Sequence, residues 1–456
     1  MFQLINADIA IVGGGAAAVS MLKELGARPE FRGAVCTISV NQLGYSPAFT
    51  APLSALTNTP VHANSLTHRE PREFRDFLAS RGWPYDLHDF VPRWLVARYI
   101  KETARNASRQ FEGRYQHVSG HVTNLVRDRF TGWRVIGTHG QLRANAVVLA
   151  GGLGSARQLI PIPFRTRFVG ASLCSGLELN SCAEASSRNS PTLVLGSKLS
   201  AVELGLALLD RGGSVCLASP SGVLPSVRTT LGQSTANPDV LTTSLRGAVD
   251  GPLRRAGFSL TQLESRAASD PLTLLDAEID EASEKLNTWQ NQIGTIIEAI
   301  NAFQFIDQSH MNELMASICT FNSRFISAMP LETARKLQHA SAEGRLTVKS
   351  LAELDESSTT YSRVLTAQGF DPPLVPQWIN ETHLSLSNEG IEPAYLSRDL
   401  EYRNVNGEST NVWALGTRTN TVVPIVNYLR TAVLQVPNIV DNLSSNVKRQ
   451  FLGEHS

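Results

Sequence analysis

The chain has 456 residues, 42% hydrophobic and 18% charged, which is enough apolar material for two or three packed domains and too much for a disordered chain. Its 41 basic residues balance 41 acidic ones, a neutrality that argues against nucleic acid or an anionic membrane as the main partner. The five cysteines (Cys36, Cys174, Cys182, Cys216 and Cys319) form no C-x-x-C pair, no apolar run reaches membrane-spanning length, and the first strand begins too near Met1 for a signal peptide. These features predict a cytoplasmic protein with reduced thiols.

Residues 7–12 read as a buried strand that runs into Gly13-Gly14-Gly15-Ala16-Ala17-Ala18, a fit to G-x-G-x-x-A. An apolar helix follows through Val19, Leu22 and Leu25 and stops at Gly26. The first glycine permits a tight turn, the second lets a pyrophosphate approach the backbone, and Ala18 keeps the helix close to the sheet. The helix start then offers free N–H groups and a positive dipole end to phosphates. This unit predicts dinucleotide binding.

Residues 34–40 supply the second strand. Dinucleotide folds commonly end it with an Asp or Glu for the ribose hydroxyls; here the residue is Asn41, a neutral group that either bonds a ribose or simply starts the loop. Residues 71–80 and 92–107 have helical spacing. Segments 115–118, 122–126 and 133–138 alternate and suggest an antiparallel meander. Residues 146–150 form an apolar strand closed by Gly151-Gly152.

A second strand–turn–helix begins at Thr192. Its turn starts at Gly196, but the middle glycine is replaced by Lys198, which crowds a pyrophosphate or pairs with it. Ser219 ends the next strand, where an NADP site often carries an Arg. Residues 251–345 lose strand signals and read as a helical insertion; Trp289, Ile293, Ile296, Ile297, Ile300 and Phe303 lie on one helical stripe, read as core. Strand patterning resumes at 346–350 and 363–366, residues 412–416 form a buried strand and turn, and 421–434 read as the last helix. The fold class is α/β, with two Rossmann-like dinucleotide units of the flavoprotein type. The expected division is 1–190 completed by 395–456, 191–250 completed by 346–394, and the insertion at 251–345.

In order and spacing these motifs resemble the bacterial FAD/NAD(P)-binding proteins, distant relatives of the class B flavin monooxygenases and the ornithine and lysine N-hydroxylases. The resemblance rests on residues 9–18 and on Gly44-Tyr45-Ser46-Pro47-Ala48-Phe49, similar to G-x-G-x-A-Y. It continues with Thr57-Asn58-Thr59-Pro60, similar to L-N-V-P, then Val91-Pro92-Arg93, Val148-Leu149-Ala150-Gly151-Gly152 and the segment G-S-x-L-S-A-V-E. Ala367-Gln368-Gly369-Phe370 is similar to A-T-G-Y/F, and Trp413-Ala414-Leu415-Gly416 to the C-terminal turn. The resemblance implies bound FAD, with NADPH or NADH as reductant. It implies Gly13 to Ala18, Asn41, Tyr45, Ser46, Val122, Ala150 and Gly151 along the cofactor, Asn58 and Pro60 near the flavin ring, and Gly416 and Thr421 at its pyrimidine edge. Gly196 and Lys198 would belong to the nicotinamide site. The departures (Asn41, Lys198, Ser219, Gln368) fall more heavily on the nicotinamide site than on the FAD site.

Other constellations are weaker. His117 and His121 are four apart in β structure, a poor metal pair. His62 reads as a structural histidine or a flavin-pocket residue, Cys174 and Cys182 as structural, and Arg69, Arg72 and Arg75 as a solvated face among acids. No G-x-S-x-G elbow or Walker A sequence occurs. The function expected is that of an FAD-dependent monooxygenase acting on a small amine, amino acid or biosynthetic intermediate. An FAD oxidase or dehydrogenase reduced directly by its substrate is the alternative, and a non-catalytic flavin-binding protein the third. The expected partner is a small molecule, with neither nucleic acid nor membrane, and homo-oligomerisation open.

Overall fold

The computed structural model describes residues 5–49, 55–128, 132–154, 157, 168–169, 191–232, 244–266, 270–303, 307–354, 361–387 and 389–452. Cys174 and Cys182 lie outside the described residues. In chain order the first unit contains β1 (Ile5–Val12), α1 (Ala16–Gly26), β2 (Val35–Ser39), α2 (Glu73–Ser80), α3 (Arg93–Arg109), β3 (Tyr115–Ser119), β4 (Val122–Arg127), β5 (Trp133–Gly137) and β6 (Gly140–Leu149). After β7 (Phe168–Val169) come β8 (Thr192–Leu195), α4 (Leu199–Leu209), β9 (Val215–Ser219) and β10 (Val227–Arg228). The insertion holds α5 (Leu245–Arg255), α6 (Leu260–Ser265), α7 (Pro271–Ser283), α8 (Ile293–Ala302) and α9 (Gln308–Ala316). Then follow β11 (Met329–Pro330), α10 (Leu331–Ala342), β12 (Leu346–Ser350), β13 (Arg363–Thr366), β14 (Gln377–Asn380), β15 (His383–Ser385), β16 (Glu392–Pro393), β17 (Tyr395–Leu396), β18 (Glu401–Arg403), β19 (Ser409–Ala414) and α11 (Leu429–Leu452).

Among the described residues, two parallel sheet centres carry the architecture. In the first, β19, β6, β1, β2 and β3 run parallel side by side. Ile9 and Ile11 of β1 are fully buried with Leu22 and Leu25 of α1, as a strand covered on both faces requires. Strand β6 is forked: residues 140–144 pair antiparallel with β5, and Val147, Val148 and Leu149 pair parallel with β19. In the second centre the order is β12-β9-β8-β13-β7, all parallel. Helices α4, α7 and α10 share its core through Val202, Leu208, Leu275, Ile279, Ala334 and Leu337. Trp289, Ile293, Ile296, Ile297 and Ile300 form a core of the insertion with Phe321 and Phe325.

Three sequence expectations need correction. Strand β3 does not join a meander; it pairs parallel with β2, and the meander is β4-β5-β6. Alternation marks a half-buried strand without fixing the direction of its neighbour. Strands β14 and β15 extend the first sheet by pairing β15 with β4, so residues 377–394 leave the second unit to which 346–394 had been assigned. The last helix begins at Leu429, eight residues after Thr421, because Pro424 lacks an N–H and disfavours helical backbone at Val423.

Candidate active site

The glycine cradle forms where β1 meets α1. Gly13 has φ +139°, its N–H donates to the Ile38 carbonyl (2.8 Å), and a Cβ on it would overlap the Ala150 carbonyl oxygen. A Cβ on Gly14 would collide with the Ser39 hydroxyl. At Gly15, the N-terminal boundary residue of α1, the nearest atoms to a Cβ would be Tyr45 O at 3.7 Å and Ser46 Oγ at 3.8 Å. The backbone is therefore bare on that side, and no side chain caps the first-turn N–H groups of α1. Such a cradle fits a diphosphate held by main-chain amides and the helix dipole. Ala16 and Ala18 are buried and Ala17 half-buried, which seats α1 on the sheet.

The flanking residues gather at the same strand ends. The N–H of Gly44 donates to the Gly14 carbonyl (2.7 Å) and brings Tyr45 and Ser46 over the cradle; Ser46 is buried and Tyr45 exposed. Asn41 is exposed just past β2, where its carbonyl accepts from Ser39 Oγ (2.5 Å). The N–H of Gly120 donates to Ser39 O (3.0 Å), so Val122 opens β4 beside this end, although its side chain is buried in the core. Ala150 donates to Val12 O (2.8 Å), and Gly151 follows it on the surface.

The C-terminal end of the chain completes the cradle. Gly416 has φ +67°, and a Cβ on it would lie 3.4 Å from Ala17 and 3.6 Å from Ala432. Its N–H donates to Gln435 Oε1 (2.8 Å), Gln435 Nε2 donates to Thr419 Oγ1 (2.9 Å), and that hydroxyl donates back to Gly416 O (2.8 Å). Thr421 lies half-buried in the turn before α11 rather than on it. Arg418 sits between these elements: its guanidinium rests against Gly151 and donates to Leu374 O (2.7 Å).

The Asn58 loop forms a wall. Thr57 Oγ1 donates to Thr59 O (2.7 Å), and Asn64 Nδ2 donates to Pro60 O (2.8 Å), fixing Asn58 and Pro60. Arg228, fully buried, donates to Asn58 O (3.0 Å), Phe325 O (3.0 Å) and Ile326 O (2.7 Å). His62 is buried; its Nε2 is 2.9 Å from Leu231 O, while its Nδ1 has no partner. Burial lowers its pKa to about 4, with His88 and Arg430 acting in the same direction against the Leu231 carbonyl. Arg93, at the start of α3, pairs with buried Glu203 of α4 and so bolts the two units together. Sequence reasoning quoted Arg93 and Glu203 within their motifs but missed their pairing, and it missed Arg228 and Arg418, because nothing near an arginine in the chain names its partner.

The second cradle repeats the first in backbone and differs in contents. Gly196 has φ +134°, and a Cβ on it would overlap the Ala367 carbonyl, as on Gly13 with Ala150. Lys198 occupies the place of Gly15 before α4, and its Nζ donates to Val223 O (3.0 Å). Ser197 Oγ donates to the same carbonyl (2.8 Å) and lies 2.7 Å from Ser219 Oγ. Burial and then the charge of Arg324 bring the Lys198 pKa down to about 8. Ser219 is thus buried and turned toward Ser197.

Residues 10–154, which run from β1 through the Ala150-Gly151-Gly152 turn, match the family model described as FAD-NAD(P)-binding. No curated protein matches the chain in sequence. The ornithine N-hydroxylase of Kutzneria sp. 744, solved with reduced FAD, NADP+ and L-ornithine, superposes with a TM-score of 0.58 at 15% identity, over 97% of this chain and 100% of that one. The ornithine hydroxylase of Pseudomonas aeruginosa, in its reduced form, gives 0.57 at 13% identity over 97% and 100%. An open structure of cyclohexanone monooxygenase gives 0.52 at 12% identity over 97% and 87%. The fold is that of the two-unit flavoproteins to which the motifs pointed.

Proposed function

We propose that this chain is an FAD-dependent oxidoreductase of the monooxygenase type, which oxidises a small amine, amino acid or biosynthetic intermediate with O2 and draws its electrons from NADPH or NADH. One observation carries the reading: the bare backbone at Gly15, framed by the Gly13–Ala150 contact and closed by Gly416 against Ala17. The family match over the same residues and the fold of the N-hydroxylases support it.

Bound flavin supplies the hydride acceptance and oxygen activation that side chains cannot. The chain's own residues bind, orient and keep water out. Gly13, Gly14, Gly15, Ala16, Ala17 and Ala18 grip the diphosphate; Asn41 offers an amide to the ribose; Tyr45, Ser46, Val122, Ala150 and Gly151 flank the cofactor. Asn58 and Pro60 form a rigid wall, and Gly416 and Thr421 lie at the opposite edge.

The filled second cradle favours one rival reading, in which the substrate itself reduces the flavin and Gly196 and Lys198 belong to a scaffold. Anaerobic spectroscopy separates the two. Purified protein carries flavin under both; NADPH or NADH bleaches it under the first, and only a substrate amine or amino acid under the second. Protein that neither carries nor takes up FAD overturns both.

A further inference from the structure

We propose that Arg418 is the fixed cation at the ring end of the cofactor site, placed to hold the negative charge that the flavin's pyrimidine edge gains on reduction. This rests on the reading that the first cradle takes FAD.

Position is the first ground. The strands lie in the order β19-β6-β1-β2. The diphosphate cradle is at the end of β1, and the ribose position, Asn41, lies past β2. A dinucleotide stretched over these strand ends with its adenosine at β2 directs its ring toward β6 and β19. Arg418 follows β19, two residues beyond Gly416, and its guanidinium lies along Gly151 at the end of β6. A Cβ on Gly151 would be 3.3 Å from Nη2, 3.4 Å from Nε and 3.7 Å from Cζ. A methyl group there would press on the guanidinium and shift it by a few tenths of an ångström.

Charge is the second ground. Among the described residues no carboxylate pairs with Arg418. Its Nη1 donates to Leu374 O, and its Nε is buried without a partner. Burial lowers its pKa, and the one group acting the other way is the phenol of Tyr402, itself pushed up to about 12 and so neutral. A half-buried cation with a single carbonyl partner and a buried, unpartnered Nε leaves hydrogen-bonding capacity that an anion would complete.

The chemistry supplies that anion. A hydride donor, nicotinamide or substrate, passes two electrons and one proton to the neutral ring and leaves oxidised; the ring then carries one net negative charge. A guanidinium beside it stabilises the reduced form over the oxidised one.

The test compares wild type, Arg418→Gln and Arg418→Lys as FAD holoproteins, with the midpoint potential measured against dye standards during dithionite reduction, and with sulfite titrated onto the oxidised flavin. Expected are a preference for reduced over oxidised FAD at least tenfold weaker in Arg418→Gln, about 30 mV for a two-electron couple, weaker sulfite uptake, and partial recovery of both in Arg418→Lys. An Arg418→Gln protein that binds FAD and loses thermal stability without a change in potential has lost only the Leu374 bond and overturns the proposal. Should Arg418→Gln fail to fold, wild type decides: a potential and sulfite affinity no higher than those of free FAD overturn it, and higher values support it. Wild type that takes up no FAD at all refutes the cradle assignment itself, a different result from an unchanged potential.

Discussion

Gly13 and Ala150 meet main chain to main chain where β1 and β6 end, so closely that a methyl group on Gly13 would overlap the Ala150 carbonyl oxygen. Gly13 also has φ +139°, which a β-branched residue does not tolerate. Gly13→Val is expected to fold poorly, and what folds should lose FAD during desalting. The absorbance ratio of flavin to protein measures this; full retention in the variant would move the cofactor site elsewhere.

In the second unit Lys198 replaces the bare glycine and reaches Val223 O. Lys198→Gly removes the obstruction while leaving Gly196 in place. The expected result is at least tenfold tighter NADPH or NADH binding by calorimetry. Weaker binding would identify the ammonium as a phosphate partner.

His62 gives a pH signature. Its pKa is about 4 in the folded chain against 6.5 when unfolded. Above pH 6.5 both states are neutral at this residue. Between 6.5 and 4 the unfolded chain takes up the proton and the folded chain does not, so stability falls as the pH falls. The loss saturates below pH 4 at roughly 3 kcal/mol, at about 1.4 kcal/mol per pKa unit. In urea unfolding, His62→Gln should flatten this part of the stability profile; a profile parallel to wild type would contradict the assignment.

Half-buried Arg93 meets buried Glu203 between the units, beside a cleft lined by Leu56, Asn58, Leu199, Val202 and Met329. Removing one partner strands a charge there, so Glu203→Gln should destabilise the protein by about 3 kcal/mol. The Arg93→Met, Glu203→Met double variant should cost less than the sum of the single replacements, since it strands neither charge. Additive losses in denaturant titrations would show that the pair is not coupled.

What could be read in the sequence was local. Three glycines at fixed spacing after an apolar strand announce a main-chain cradle, since no other residue type gives that approach. Residues 192–219 were legible for the same reason. The return of Gly416 to the first unit came through resemblance, not periodicity; its contact with Ala17 needed the structure. The roles of Arg93, Arg228 and Arg418 were invisible, because a long cationic side chain takes its role from partners far away in the chain: Glu203, Asn58 and Gly151. Strand β3 and residues 377–394 were misassigned because a two-residue period fixes which face is buried and leaves pairing to the tertiary fold. Lys198 was recognised as an intruder in its turn, yet its bond to Val223 needed the loop conformation.

The forked pairing of β6 has a consequence for biogenesis. A nascent chain emerging from the ribosome can lay β1 and β5 against β6 early, and β2 against β1, but the half of β6 that carries Val147, Val148 and Leu149 keeps an open flank until residues 409–414 are synthesised. Until then an apolar parallel edge stays unsatisfied and prone to mispairing. On the proposed reading, the cofactor site is complete only after that strand arrives, and protection by a chaperone matters most in the interval before it.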